Sequence, residues 1–252
     1  MSETAPSRTE PGDTAALRAA DGAPTPRTPS LLITAGPTRE PLDAVRYLGN
    51  RSSGRLGIEL ASAAARRGWA TTLLLGPTSL GCNDTRVETI RFSSTAELGA
   101  LLDRHTPRCD CLLMAAAVAD FRPSQDASAP QTTKLRRRDG GLTLHLEATP
   151  DLLAQAARGR RPGQLLVGFA LEPRERLIDA AKAKLTRKGV DLIVANPLET
   201  MDSDQIEARL IEKTSDPTKE PRIAGSTEGA ISKQDFAIWL LDHLEQRIPC
   251  CR

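Results

Sequence analysis

Short apolar runs alternate along the chain with segments whose apolar residues recur every three or four positions. Apolar runs of this length, bounded by Gly, Pro or polar residues, are typical of strands buried on both faces of a parallel sheet. They lie at 31–36, 71–76, 87–92, 109–119, 164–172 and 190–196. The helical periodicity between them predicts helices at 56–67, 94–104, 151–158, 175–188 and 232–247.

Two further stretches, 142–148 and 206–213, alternate in residue type, which is typical of antiparallel or edge strands. Strands that alternate with helices predict an α/β fold, a Rossmann-like and mostly parallel sheet with helices on both faces. Residues 1–30 lack hydrophobic periodicity and are rich in Pro, Thr and Ala. We therefore expect a disordered N-terminal tail over 1–30 and a single domain over 31–252.

Composition narrows the class of protein. Apolar residues make up 39% of the chain and charged residues 26%, and the net charge is only +2, which gives no electrostatic signature for nucleic acid. No apolar run is long enough to span a bilayer, and there is no secretory signal. Five cysteines without C-x-x-C spacing argue against a metal site or a disulfide framework, and we expect Cys109 and Cys111 on one face of a buried strand. These features predict a cytoplasmic protein that binds neither nucleic acid nor membrane.

The connection between the first strand and the first helix spans residues 36–56, whereas such connections usually take about two to six residues. It ends in NRSSGRLG, where Ser52 and Ser53 offer hydroxyls and N-cap chemistry, and Gly54 and Gly57 permit close backbone approach. Ligands of open parallel sheets lie outside the carboxyl ends of the strands. This helix start is therefore a candidate phosphate site, with an ordinary capped helix as the alternative.

The glycine spacing does not match the G-x-G-x-x-G dinucleotide fingerprint, since glycines stand at 36, 49, 54 and 57. The only tyrosine, Tyr47, is followed four positions later by Arg51 rather than by lysine. Both observations argue against a nicotinamide-dependent reductase. The chain also lacks G-x-S-x-G and any His/Glu cluster with metal-ligand spacing.

Other loops at the same sheet edge carry polar and cationic residues. Asp120 follows a buried strand and suits a ribose hydroxyl, a base amino group or a magnesium-linked phosphate, with a helix cap as the alternative. Lys134 lies at the far end of the same loop, where it could bring a positive charge to a polyphosphate. Pro150 suits the first position of a helix. Phe169 at a strand end fits either base stacking or the core, and the helix over 175–188 places Lys184 and Lys188 on one face.

Taken in chain order, these segments resemble the phosphopantothenate–cysteine ligase (phosphopantothenoylcysteine synthetase) family, in the form of a stand-alone ligase domain of the bacterial type. The resemblance covers roughly residues 31–197. It is carried by GPTREPLDAVRYLGNRSSGRLG, AAAVADFRP, KLRRR, TPDLL, VGFALE and AKAKLTRKGVDLIVAN.

The resemblance implies a two-step amide ligation in coenzyme A biosynthesis. The carboxylate of 4'-phosphopantothenate would attack the nucleotide α-phosphate and release pyrophosphate, and the amine of L-cysteine would then displace the nucleoside monophosphate. CTP is favoured over ATP as co-substrate, and Mg²⁺ would arrive with the triphosphate, with no protein metal ligands assigned. The family also implies a homodimer and a separate flavin-dependent decarboxylase in the same pathway.

The same resemblance implies roles for individual residues. Asn50 and Lys134 match the family's catalytic residues. The matching nucleotide contacts are Met114, Ala115, Ala116, Asp120, Lys134, Pro150, Asp151, Leu152, Leu153, Phe169, Lys184 and Lys188. The matching phosphopantothenate contacts are Gly36, Arg46, Asn50, Ser52, Ser53 and Gly54.

The chain departs from the family pattern after Asn196, and the segment 197–230 matches it in pattern only. A non-catalytic nucleotide-binding protein on the same scaffold is the alternative function. Asn50 and Lys134 discriminate between the two, because a protein that only binds nucleotide has no need of both.

Overall fold

The structure, a computed structural model, describes Met1 and residues 27–124, 142–214, 216 and 218–249. Within these residues the helices are α1 (Arg55–Arg66), α2 (Thr95–His105), α3 (Leu152–Arg158), α4 (Leu177–Lys188) and α5 (Lys233–Glu245). The strands are β1 (Ser30–Ala35), β2 (Arg39–Pro41), β3 (Tyr47–Gly49), β4 (Ala70–Leu75), β5 (Val87–Arg91), β6 (Cys111–Met114), β7 (Phe121–Pro123), β8 (Leu146–Ala148), β9 (Leu165–Glu172), β10 (Leu192–Pro197), β11 (Gln205–Ile206), β12 (Arg209–Glu212), β13 (Arg222–Ser226) and β14 (Ile231–Ser232). None of these helices is both long and apolar enough to cross a bilayer.

Eight strands form the central sheet in the order β13-β12-β10-β9-β6-β1-β4-β5. The six strands from β10 to β5 are parallel, and β12 and β13 extend one edge in antiparallel pairing. Numbered by chain order, the parallel strands run 3-2-1-4-5-6, which is the Rossmann strand order. The predicted α/β fold class is therefore confirmed.

Helices cover both faces of this sheet, because successive residues of a strand point to opposite sides. In β1, Leu31 and Ile33 join the core beneath α1 and α5, whereas Leu32 joins the core beneath α2, α3 and α4. All three side chains are fully buried. This two-sided burial explains why the strands are continuous apolar runs in the sequence.

The positions of the predicted elements are confirmed within a few residues, with one difference: the apolar run 109–119 forms only the short strand β6, and its second half leaves the sheet. The stretches 206–213 and 142–148 contain antiparallel strands, as predicted. The first contains β12, which pairs with β10 and β13 inside the central sheet, and the second contains β8, which pairs with β7 outside it.

Several short strands were not predicted, β7 (Phe121–Pro123) among them. The long connection 36–56 contains the antiparallel pair β2 and β3, and β13 forms the outer edge of the central sheet. The predicted tail over 1–30 falls mostly outside the described residues, and the single-domain boundary stays a prediction.

The two cysteines near β6 do not share a face, so that prediction is wrong. Cys109 lies ahead of the strand and packs in the core under α2, whereas Cys111 packs in the opposite core. Burial raises the pKa of the Cys109 thiol to about 11.

Candidate functional site

A cavity of about 620 Å³ opens at the carboxyl ends of the parallel strands. It lies at the topological switch point, where β1 leads towards α1 on one side and β6 leads into residues 115–120 on the other. Open α/β sheets bind ligands at this point. We call it the larger cavity.

The start of α1 forms one wall of the larger cavity. Its N-cap is Gly54, which has a φ of 73°, and no side chain caps the helix. The prediction that Ser52 or Ser53 caps this helix is therefore wrong. The Gly54 and Arg55 N–H groups make long hydrogen bonds of 3.4 Å to the Ser52 and Ser53 hydroxyls. The first turn of a helix without a side-chain cap can bind an anion, and the helix dipole favours negative charge there.

Lys184 and Lys188 of α4 form a second wall of the larger cavity. Both line the cavity, as their spacing of four residues on one helix face predicts. The Nζ atom of Lys184 donates a hydrogen bond to the carbonyl oxygen of Phe169 at 2.6 Å. Burial, assisted by the neighbouring charge of Lys188, lowers the pKa of the Lys184 ammonium. This wall therefore holds a positive charge that is largely shielded from water.

Lys188 forms an ion pair with Asp151, the N-cap of α3. The Asp151 carboxylate also accepts a hydrogen bond from the Ala154 N–H at 3.1 Å. Burial opposes ionisation of Asp151, but Lys188 and this backbone contact hold the pKa of its carboxyl group below the ordinary value. Leu152 is the first helical residue, so the prediction that Pro150 occupies this position is wrong.

The segment after β6 is fixed by hydrogen bonds to the end of β1 and the residues that follow it. The Ala116 N–H donates to Thr34 Oγ1 at 3.1 Å, and the Ala119 N–H donates to Thr38 Oγ1 at 2.9 Å. These bonds bring Asp120 to the cavity with its side chain exposed. Asp120 precedes β7 rather than a helix, which rules out the helix-cap alternative.

A smaller cavity of about 320 Å³ lies next to the larger one, and Arg51, Ser52 and Ser53 line both. Asn50 lines the smaller cavity, and its Nδ2 atom donates to the carbonyl oxygen of Val118 at 2.9 Å. Val118 itself lines the larger cavity. The Asn50 amide therefore lies at the boundary between the two.

The larger cavity gathers most of the predicted site residues: Ser52, Ser53, Gly54, Met114, Ala115, Ala116, Asp120, Pro150, Asp151, Leu152, Leu153, Phe169, Lys184 and Lys188. Gly36 and Arg46 line neither cavity. Gly36 lies beneath Gly54, and Arg46 is bound through its guanidinium to the buried Asp43, a hydrogen bond that raises the pKa of Arg46. Lys134 lies outside the described residues.

Sequence reasoning missed several residues that line the larger cavity: Arg51, Arg55, Glu172, Asn196, Asp202 and Lys233. Arg51 and Arg55 lie inside the motif NRSSGRLG, which was predicted to lie at the phosphate site, so the sequence could have identified them. Lys233 begins a predicted helix, but no sequence pattern placed that helix start at this edge of the sheet.

The described residues hold no group of three or more His, Cys, Asp or Glu side chains that suits a metal ion. Mg²⁺ in nucleotide sites is usually held by one or two carboxylates together with the phosphates. Asp120, exposed at the larger cavity, fits that lesser requirement.

Comparison with known proteins gives a consistent picture. The profile of the DNA/pantothenate metabolism flavoprotein C-terminal domain family matches residues 27–246. The coenzyme A biosynthesis bifunctional protein CoaBC of Mycobacterium tuberculosis is 45% identical over 175 residues, which are 66% of this chain and 41% of that protein. The chain thus spans less than half the length of this curated relative.

Solved structures with the same fold include the C-terminal domain of a coenzyme A biosynthesis bifunctional protein CoaBC. It aligns with a TM-score of 0.68 and 29% identity over 86% of this chain and 94% of that one. The Cab2 variant H337A, solved in complex with phosphopantothenate-cysteine, aligns with a TM-score of 0.68 over 87% of each chain. At 17% identity the second likeness supports the fold alone.

Proposed function

Because the chain belongs to the family of the DNA/pantothenate metabolism flavoprotein C-terminal domain, we propose that it joins 4'-phosphopantothenate to L-cysteine in coenzyme A biosynthesis. Family membership confirms the resemblance seen in the sequence motifs. The ligation itself is inferred for this chain, since the curated relatives are more than twice as long as the matched part.

One observation carries the proposal. Motifs that lie far apart in the sequence line a single cavity, where an uncapped helix start faces lysines across a partly apolar space. This combination suits a nucleotide, because free N–H groups and cations bind the phosphates while Phe169 offers a ring for the base. The adjoining smaller cavity suits a second substrate.

In the first step the protein must align two anions that repel each other. The phosphopantothenate carboxylate attacks the nucleotide α-phosphate, a P–O bond forms, and pyrophosphate leaves with the electron pair of the broken bond. The α1 backbone N–H groups, Lys184 and Lys188 would offset the negative charge on the triphosphate. Positioning and charge neutralisation supply most of the catalysis in such transfers.

In the second step the cysteine amine attacks the acyl carbon, and the nucleoside monophosphate leaves. An oxyanion would develop on the acyl oxygen, and the Asn50 amide would donate a hydrogen bond to it. A carboxamide nitrogen carries two hydrogens. Val118 accepts one of them, which fixes the orientation of the amide and leaves the second hydrogen for the ligand.

The finer assignments rest on the resemblance to the ligase family. We propose CTP rather than ATP as the co-substrate, with Mg²⁺ bound to the triphosphate. We also propose a homodimer, a cytoplasmic location and a separate flavin-dependent decarboxylase that acts on the product.

The test is pyrophosphate release from a mixture of protein, 4'-phosphopantothenate, L-cysteine and Mg²⁺ with CTP, ATP, GTP or UTP. We expect release that depends on phosphopantothenate, and fastest with CTP. Tight nucleotide binding without pyrophosphate release would support the non-catalytic alternative. Faster release with ATP would overturn the nucleotide assignment and leave the ligation intact.

Lys134 calls for its own test because it lies outside the described residues. Lys134→Gln should slow the first step and raise the nucleotide KM, since a cation that contacts the triphosphate is lost. Unchanged pyrophosphate kinetics would exclude it from the site. Lys182→Gln is a suitable control, because Lys182 pairs with Glu220 and does not line the larger cavity.

A further inference from the structure

The C-terminal part of the chain, beyond the motifs that suggested the function, contributes a cation to the larger cavity. Lys233 is the first residue of α5 and lines the cavity. Its backbone N–H donates to the carbonyl oxygen of Asp204 at 3.1 Å, and β14 immediately before it pairs with β11. The main chain therefore fixes Lys233 beside the segment that follows β10.

The charges around Lys233 are already matched with one another. Arg51 forms an ion pair with Asp202, and Arg55 forms an ion pair with Asp204. These pairs link the start of α1 to the segment that precedes β11. Asp202 and Asp204, the two acids that act on Lys233, thus each have an arginine partner.

The Lys233 ammonium, by contrast, makes no hydrogen bond or ion pair with the described residues. Among those residues, the other four cations that line this cavity each have a partner: Asp202, Asp204 and Asp151 for Arg51, Arg55 and Lys188, and the Phe169 carbonyl for Lys184. Lys233 therefore differs from them in its free bonding capacity.

The position of Lys233 is unfavourable for a lone cation. Burial, followed by the charge of Arg55, lowers the pKa of the Lys233 ammonium, while Asp204 and Asp202 oppose that shift. The helix dipole at the start of α5 adds to the positive potential. A partly desolvated cation without a partner is stabilised by an anion that enters the cavity.

We propose that Lys233 binds a phosphoryl oxyanion of a substrate in the larger cavity, and that it thereby extends the anion site at the start of α1 to the C-terminal part of the chain. The inference rests on the proposed function. The phosphoryl group belongs either to the nucleotide or to 4'-phosphopantothenate, and the experiment separates the two sources.

A purely structural role predicts something else. If Lys233 only balances Asp202 and Asp204 at longer range, its loss would lower the melting temperature and leave phosphate affinity unchanged. Lys233→Gln removes the charge and keeps much of the length, and Lys233→Arg keeps the charge. Lys219→Gln is the matched control, because Lys219 is an exposed lysine that lies outside the cavity.

Binding of CTP, 4'-phosphopantothenate and inorganic pyrophosphate is measured by calorimetry for the wild type and the three variants, together with their melting temperatures. We expect Lys233→Gln to reduce the affinity for pyrophosphate and for one of the two substrates about tenfold. This corresponds to the loss of one charge-assisted contact of about 1.4 kcal/mol. The substrate affected identifies the source of the phosphoryl group. Lys233→Arg should bind within about threefold of the wild type.

Equal affinities in the wild type and Lys233→Gln for all three ligands would overturn the proposal, and so would a wild type that binds none of them. The ligation itself is judged separately, by pyrophosphate release from the wild type. A wild type that turns over while Lys233→Gln binds normally would leave the function standing and remove Lys233 from the site.

Discussion

The close packing of α1 against β1 sets the position of the candidate phosphate site, and Gly57→Ala perturbs it directly. A Cβ atom added at Gly57 would overlap the Cβ of Ala35, and it would lie 3.3 Å from the Ala35 Cα and 3.4 Å from the Thr34 carbonyl oxygen. These neighbours belong to the buried strand at the centre of the sheet. The helix start must therefore move away from β1 by about 1 Å to relieve the overlap.

Gly99→Ala provides a matched comparison, because it makes the same change inside α2. There the added Cβ meets only the end of the Leu152 side chain, at 3.2 Å. Both variants gain up to about 1 kcal/mol of helix propensity, which cancels in the comparison. Overpacking costs about 1–3 kcal/mol, so we expect Gly57→Ala to be less stable than Gly99→Ala by about 2 kcal/mol, which corresponds to about 4–8 °C in Tm.

Thermal unfolding and nucleotide kinetics measured on the same samples test this reasoning. Because the first turn of α1 lines the larger cavity, a displacement of about 1 Å should also reduce kcat/KM for CTP, by up to about 100-fold. Gly99→Ala should retain the kinetics of the wild type. The reasoning fails if the Tm of Gly57→Ala is equal to or higher than that of Gly99→Ala, and if its kcat/KM for CTP equals that of the wild type.

Three further predictions follow from the same contacts. Asn50→Asp should fold normally and accumulate the acyl-nucleotidyl species in quenched reactions analysed by mass spectrometry, because a carboxylate cannot donate to the oxyanion; full turnover would exclude Asn50 from the second step. Lys184→Gln tests the buried amine, whose pKa is lowered from 10.5 in the folded protein. Between that lowered pKa and 10.5 the unfolded chain binds more protons than the folded protein. The free energy of unfolding of the wild type, measured in urea and compared with that of the variant, should therefore rise with pH across this interval. A difference between the two that does not change with pH would contradict the shift. Cys109, with a pKa of about 11 and a buried thiol, should resist alkylation at pH 8 until denaturant is added, and rapid labelling of the native protein would contradict its burial.

The central sheet was predictable because the residue pattern that specifies each strand and helix lies within that element. Strands buried on both faces are apolar throughout, and α1 and α4 carry regular apolar stripes, so their order along the chain implies the parallel sheet. The residues missed by the prediction form strands of two to five residues. The pair β2 and β3 has mostly exposed and polar residues, and β13 has the sequence RIAGS, which does not alternate clearly.

The candidate site was predictable to the extent that its residues follow strand ends. Asp120 does so, because it lies in the loop that leaves β6, and the edge rule brings this loop to the cavity without any structure. Phe169 lies inside β9 (Leu165–Glu172), so the prediction that it stands at a strand end is wrong, although it does line the cavity. The N-cap positions were predicted less well. Gly54 follows two serines that have better capping propensity, and Pro150 before Asp151 suits the first position of a helix and so suggested an earlier helix start. Lys233 was beyond prediction, because its place at the cavity depends on the pairing of β11 with β14.

The charge pattern of the larger cavity has a consequence for how it binds ligands. Arg51, Arg55 and Lys188 line the same cavity, and like charges that share a cavity destabilise the folded protein unless acids offset them. Three aspartates provide that offset here. An incoming triphosphate must compete with these carboxylates, so its net affinity is the difference between two sets of ion pairs. The aspartates would thus stabilise the ligand-free fold at the expense of affinity, and in the proposed ligation this would favour release of pyrophosphate and the nucleoside monophosphate.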